Sequence, residues 1–282
     1  MAVPSYAGPL ERTWYYAFRV FCAAVFIFLI APILVIVPLS FNAEPYFSFT
    51  QGMLTLDPDA YSTRWYEEFL TSDRWLESIK NSVIVAFFST FLAASLGTLA
   101  ALGLSRSELP YKGLIMGLLI SPMIVPLIIA AAGMFFFYSS LGISQSYLGL
   151  ILAHTALGTP FVVITVTATL SGFDHNLVKA AANLGATPTY TFFKITMPLI
   201  MTGVISGALF ALMTSFDEVI VAIFIAGVEQ RTIPMQMWSG IREQISPTIL
   251  AVATILITFS VIMLATVEIL RRRSDRIRGI IS

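Results

Sequence analysis

The stretch Asn176-Leu177-Val178-Lys179-Ala180-Ala181-Ala182-Asn183-Leu184-Gly185-Ala186-Thr187-Pro188 lies between two long apolar segments. Leu177, Ala180, Ala181 and Leu184 recur at i, i+3, i+4 and i+7, which places them on one face of a short helix. Gly185 follows, where a chain can turn left-handed or accept another backbone closely. Pro188 then discourages the helix from continuing. A small amphipathic helix in a polar loop has an apolar face that must pack on something. The loop runs over about residues 172–198 and ends at Thr196-Met197-Pro198.

Around this loop the chain is unusually apolar. Of its 282 residues 57% are hydrophobic and only 11% charged, against roughly 25% charged in soluble domains; mean hydropathy is +0.85. The apolar runs are too long, and alternate too little, for a membrane barrel. The chain is therefore all-α and polytopic, one transmembrane domain over 1–282. At about 20 residues per crossing, six spans are expected near 17–40, 82–104, 113–138, 147–170, 199–227 and 248–270. No Asp, Glu, Lys or Arg occurs from Gly113 to Phe173. That run is divided at Tyr138-Ser139-Ser140-Leu141-Gly142, where turn-forming and interfacial residues cluster. The first span is uncharged from Val20 up to Glu44 (the last uncharged residue being Ala43) and lacks a cleavage pattern, so it reads as an uncleaved helix. The single cysteine, Cys22, lies inside it and can form no intrachain disulfide.

Net charge is zero, but its distribution is informative. One side of the membrane carries Arg12, Arg19, Arg106, Lys112, Lys179, Lys194, Arg271, Arg272, Arg273, Arg276 and Arg278. The other carries Arg64, Arg74, Lys80, Arg231 and Arg242. By the positive-inside rule both termini and the Ala180-Ala181 loop of this multi-pass protein are expected in the cytoplasm. The tail arginines serve as a stop-transfer and anionic-lipid anchor, with Glu268 beside them. On the outer side, two apolar stripes at helical spacing, Ser62–Leu70 and Asp73–Leu76, predict short helices lying on the membrane surface. A second outer segment, Gln230–Arg242, is amphipathic and contains Trp238; it either lies on the surface or dips inward.

Asp217 and Glu218 stand out because they fall inside the fifth expected span, in Ser215-Phe216-Asp217-Glu218. Inserting one acidic residue centrally costs roughly 2.5–3.5 kcal/mol. In a continuous helix the two side chains point about 100° apart, so they serve different neighbours. One reading is a hydrogen-bonded pair that fixes helix packing. The other is a site that attracts cations on a permeation path, with Phe216, Phe210 and Tyr138 as candidate aromatic faces for an amine, although packing serves those rings equally well. His154 either lines the path or hydrogen-bonds a neighbouring helix. Pro122 and Pro126 put a kink in the third span. Nothing resembles a phosphate-binding glycine loop, and two histidines with one cysteine supply no metal-ligand spacing. The chain itself is expected to bind no cofactor and no nucleic acid, and not to be an enzyme.

The pattern Ala180-Ala181-x-x-x-Gly185-Ala186, followed by Phe192, Ile195 and Pro198, resembles the cytoplasmic "EAA" loop of ABC importer permeases. Ser215-Phe216-Asp217-Glu218 and the Trp65-Tyr66, Trp75-Leu76, Asn81-Ser82 series resemble the spermidine/putrescine branch of that family, and the Pro122/Pro126 pair is also similar. The resemblance covers about residues 60–270. It implies a type I importer permease bundle of six helices that transports by alternating access. The loop helix would be the coupling helix, docking Leu177, Lys179, Ala180, Ala181, Leu184, Gly185 and Ala186 against a separate ATPase dimer that binds ATP and Mg. Lys179 departs from the pattern, since the family usually has Glu there. Further implied partners are a second, related permease chain and a periplasmic solute-binding protein. Ser215, Phe216, Asp217 and Glu218 would lie on the translocation path, with Asp217 matching the position tied to polyamine passage. The alternatives are an importer for another small solute, such as an aminophosphonate, thiamine or an iron complex, and an ion-coupled carrier using Asp217, Glu218 and His154.

Overall fold

The computed structural model describes residues 8–106, 109–243 and 246–277, and its regular elements are helices. The chain forms two compact units, one from the described parts of Met1–Leu70 and Gln244–Leu256, the other from those of Thr71–Glu243 and Ile257–Ser282.

The first unit opens with α1 (Pro9–Leu39), whose Glu11 carboxylate accepts from the Gly8 N–H to close its first turn. Its most apolar window has no buried residue. A helix that is greasy on every side has no single inner face, and this one buries only its last residue, Leu39. Beyond it the chain is tied by polar contacts. Asn42, fully buried, donates from Nδ2 to the carbonyls of Tyr46 and Ser48, and its Oδ1 accepts from the Glu44 N–H. Its own carbonyl accepts from the Trp65 indole N–H at 2.7 Å. The short helices α2 (Gln51–Leu54) and α3 (Arg64–Thr71) follow. Trp65 and Tyr66 are thus held by hydrogen bonds, Tyr66 through Ser40 at 2.6 Å.

The second unit opens on α4 (Asp73–Leu104). The sequence suggests a separate surface helix at Asp73–Leu76, but those residues form the first turn of this 32-residue helix. It continues through the polar Asn81 and Ser82 because both find partners. Asn81 Nδ2 donates to the carbonyls of Glu229 and Arg231, its Oδ1 accepts from the Tyr147 hydroxyl, and Ser82 Oγ accepts from the Ile233 N–H.

Then come α5 (Lys112–Ile124) and α6 (Leu127–Ser140), bent by 102° at the Val125-Pro126 junction. The kink expected over 113–138 is therefore a full break. Pro126 has no N–H to give, and Val125 before it is extended, with ψ 134°. α7 (Tyr147–Ser171) matches the fourth expected span. The loop after α7 holds α8 (Asn176–Asn183) and α9 (Pro188–Thr191). A π-helical turn, Phe192–Thr196, leads into α10 (Met197–Asp217). Where one span is expected over 199–227, the structure has two helices, α10 and α11 (Ile220–Ile225). α12 (Ile233–Glu243) and α13 (Thr248–Ile277) complete the chain. Arg272 pairs with Glu268 at 2.6 Å near the end of α13, and Arg278 lies outside the described residues. Among the described residues five helices are long and apolar enough to cross a membrane, or six if the bent α5–α6 pair is one span.

The centre of this unit is the meeting of α4, α7 and α10, built on small residues. A Cβ placed on Gly207 of α10 would stand 2.7 Å from the Cα of Val162 on α7, and one on Gly97 of α4 would stand 2.6 Å from the Val162 Cβ. Gly158 faces Ala211 and Ala93 in the same way. In lipid, apolar burial gives helices little reason to associate, so close packing of this kind carries the contact. A larger residue at Gly207 forces α7 and α10 apart. A second core, with Val85, Ala131, Leu150, Val221 and Ile225, packs α11 against α6 and α7.

Candidate functional site

Two places in the second unit carry the candidate residues. The first is the loop between α7 and α10. Asp174 Oδ1 accepts from the Asn176 N–H at 2.9 Å and so starts α8. The helix ends two turns later in a left-handed cap. Gly185 has φ +82°, its N–H donates to the Ala182 carbonyl at 2.9 Å, and the Ala186 N–H donates to the Ala181 carbonyl at 3.0 Å. That pair of bonds is a Schellman cap, which favours glycine at this position. Thr187 then caps α9 through the Tyr190 N–H, with Pro188 at its first position.

The four residues that share the helical spacing differ in burial within this chain. Ala181 is buried, and Val178, which the spacing did not single out, is half-buried beside it. Leu177, Ala180 and Leu184 are exposed, Leu184 at 88%. Two turns of helix resting on small side chains bury only an inner strip. The larger apolar residues turn outward, joined by exposed Tyr190 and Phe193. A hollow of about 500 Å³ opens there between Ala181, Leu184, Gly185, Ala186, Tyr190 and Ile195. A Cβ on Gly185 would meet nothing within 4 Å, so glycine is needed for its backbone angle and not for packing within this chain. Lys179 is exposed and makes no ion pair among the described residues.

The second place is the break after α10. Asp217 is the last helical residue, and Glu218 is extended, with φ −76° and ψ 116°. The two acidic residues are thus not successive positions of a continuous helix. No proline or glycine forces this break. Its chemistry is that of a cap: Glu218 Oε1 accepts from the Val221 N–H at 2.8 Å and starts α11. In the sequence Glu218 stands directly before the apolar run Val219–Ile225, two residues ahead of the first residue of α11. Glu218 is 7% exposed, whereas Asp217 is open and has no ion-pair partner among the described residues. A helix end at membrane depth leaves carbonyls unpaired at a cost of several kcal/mol each, so broken helices occur there only within protein or beside a water-filled cavity. The carboxyl end of α10 also carries a negative partial charge that favours cations, and Asp217 adds a full charge to it.

The remaining candidates are placed as follows. Ser215 is buried, and its Oγ lies 2.8 Å from His154 Nδ1 on α7. Half-buried Phe216 packs on Phe259 of α13, with ring centroids 4.9 Å apart. Phe210 stacks on Phe161, and Tyr138 is buried in the core around α11. Of the four path candidates, Asp217 presents its charge outward, while Ser215 and Glu218 turn into the bundle.

Residues 93–276 match the family model described as "Binding-protein-dependent transport system inner membrane component". The chain is 31% identical over 255 residues, 90% of its length and 96% of the relative's, to the spermidine/putrescine transport system permease protein PotC of Haemophilus influenzae. It is 32% identical over 240 residues, 82% of each chain, to the putrescine transport system permease protein PotI of Escherichia coli strain K12. Among solved structures, a chain of a bacterial ABC transporter involved in the import of the acidic polysaccharide alginate superposes with a TM-score of 0.69. It shares 14% identity, with 95% of this chain and 99% of that one covered. The chain therefore belongs to the family of binding-protein-dependent transport system inner membrane components, as a multi-pass, all-α membrane permease.

Proposed function

We propose that the chain is the permease subunit of an ATP-driven importer whose cargo is a polyamine of the spermidine/putrescine class. The observation that carries this reading is the open, unpaired carboxylate of Asp217 at the carboxyl end of a helix broken inside the membrane. The fold alone does not select the cargo, because a similar fold belongs to a transporter of an acidic polysaccharide. The charge at the break does. An ammonium group leaving water needs a compensating charge: at 4 Å and an effective dielectric of 20 the attraction is about 4 kcal/mol. The relatives named for spermidine and putrescine transport support the same chemistry.

In this reading Glu218 shapes the break and Asp217 meets the cargo. The exposed apolar surface of Leu177, Leu184, Tyr190 and Phe193 docks on an ATPase subunit, with Gly185 and Ala186 at the hollow's rim. The complete transporter holds a second permease chain, an ATPase dimer that binds ATP and Mg, and a periplasmic solute-binding protein. Both termini and the loop face the cytoplasm, where eleven of the sixteen basic residues lie. The ATPase and the solute each bind the two orientations of the bundle with different affinity, which is what couples hydrolysis to transport.

The test is uptake of radiolabelled putrescine by cells producing the complete transporter. Excess unlabelled spermidine or another short diamine is expected to abolish labelled uptake, and an acidic solute of similar size to leave it unchanged. Indifference to excess diamine, or equal competition by the anion, would contradict the proposed cargo.

A further inference from the structure

The last turn of α10 is held by a polar contact that the transport reading has not used. Ser215 Oγ lies 2.8 Å from His154 Nδ1 of α7 and accepts from Ser89 Oγ of α4 at 3.3 Å. Thr155, next to His154, reaches the Ser89 carbonyl at 3.5 Å. His154 is 2% exposed, and Ser89, Thr155 and Ser215 are buried with it. Three helices therefore join through side-chain hydroxyls and one imidazole at the level of the break.

Two features make this contact more than filling. His154 Nε2 is buried with no hydrogen-bond partner among the described residues. Whichever tautomer is present, one ring nitrogen is left unpaired, at a cost of about 1–3 kcal/mol. A leucine would occupy much the same space without that cost. What leucine would lose is the bond to Ser215. Ser215 and Asp217 are two positions apart in one helix, which at 3.6 residues per turn separates their directions by about 200°. Anchoring Ser215 toward α4 and α7 therefore aims Asp217 away from them, and in the structure Ser215 is buried while Asp217 is open.

We propose that His154 is a positioning residue for the Asp217 site: its bond to Ser215 fixes the rotation of the last turn of α10 and so the direction of the Asp217 carboxylate. The proposal rests on the reading of Asp217 as the cation-facing group, but its test does not require cargo. In the complete transporter carrying Cys22→Ser and Asp217→Cys, the new thiol reports which way position 217 faces. Its modification rate by a membrane-impermeant cationic thiol reagent is measured in open membrane fragments, together with complex yield.

Adding His154→Leu is expected to lower the modification rate about tenfold at unchanged yield. His154→Asn, whose amide places a hydrogen-bonding atom near the Nδ1 position, is expected to restore most of it. Ser215→Ala should match the leucine variant, and combining the two should lower the rate no further. If His154→Leu alone loses complex, the labelling rate in Ser215→Ala decides, because it removes the same bond with a smaller change. Unchanged labelling in His154→Leu or Ser215→Ala at full yield would overturn the proposal. So would loss of complex in the leucine and asparagine variants alike, which would make His154 a packing residue only. Normal putrescine uptake by an otherwise unaltered Asp217→Asn transporter would instead defeat the cargo reading and leave the labelling result standing.

Discussion

Replacing Asp217 with asparagine is expected to lower putrescine uptake about tenfold or more while leaving the yield of assembled complex unchanged. Tenfold corresponds to about 1.4 kcal/mol, well below the ~4 kcal/mol of an ammonium–carboxylate pair at 4 Å and an effective dielectric of 20. The discount reflects the exposure of Asp217, which leaves part of the interaction screened by solvent. Asparagine keeps the size and most of the hydrogen bonding and removes only the charge. Glu218→Gln is the matched control. Its amide oxygen can still accept from the Val221 N–H, so uptake and yield should both stay within about twofold of the unaltered protein. Glu218→Leu removes the acceptor, leaves that N–H unpaired, and should lower the amount of complex. Wild-type uptake by Asp217→Asn would take this residue off the path. Equal loss from Asp217→Asn and Glu218→Gln, matched by loss of complex, would make the acidic pair a packing feature.

Gly185→Arg is expected to abolish uptake and to strip the ATPase from the purified permease, with the chain still inserted in the membrane. Two effects combine. A residue with a Cβ at φ +82° pays ~1–2 kcal/mol in backbone strain. A long cation would also stand at the rim of the hollow between Leu184, Ala186 and Tyr190. Gly185→Asn separates the two, because asparagine tolerates the left-handed conformation and is small. It should keep most ATPase binding and at least a third of the uptake. Full co-purification of the ATPase with Gly185→Arg, and normal uptake, would mean that this loop is not the docking element. If the asparagine variant failed as completely as the arginine variant, the cap itself and not the bulk at the rim would be at fault.

The positions of the long apolar helices were legible in outline because a run of about 20 apolar residues has few other uses; five such helices stand among the described residues, or six if the bent α5–α6 pair is one span. The end of α8 was legible for a local reason too: Gly185 and Pro188 act on the backbone whatever surrounds them. The break at Asp217–Glu218 was not. Two acidic residues in an apolar run read as charges placed on a continuous helix. Seeing Glu218 as a cap requires knowing that its carboxylate turns back to the Val221 N–H and is buried there. Similarly, Pro122 and Pro126 announced a bend, but its 102° magnitude depends on how α5 and α6 pack. Which residues of α8 meet the body of this chain was not legible either, because periodicity says which residues share a side and not what that side meets. Val178 and Ala181 turn inward, and Leu177 and Leu184 do not. Likewise Asp73–Leu76 looked like a surface element, since the partners that let α4 run on past Asn81 lie some 150 residues away in the chain.

If ATP hydrolysis by a partner, and not an ion gradient, drives a polyamine through this permease, transport survives the loss of every ion gradient. The measurement is accumulation of radiolabelled putrescine by proteoliposomes that carry the complete transporter, with the proton and sodium gradients collapsed. With ATP supplied on the cytoplasmic side, accumulation should continue, and it should stop when ATP is withheld or the ATPase is made unable to hydrolyse it. Accumulation that ceases when the gradients collapse and is indifferent to ATP would contradict the account and make the chain an ion-coupled carrier.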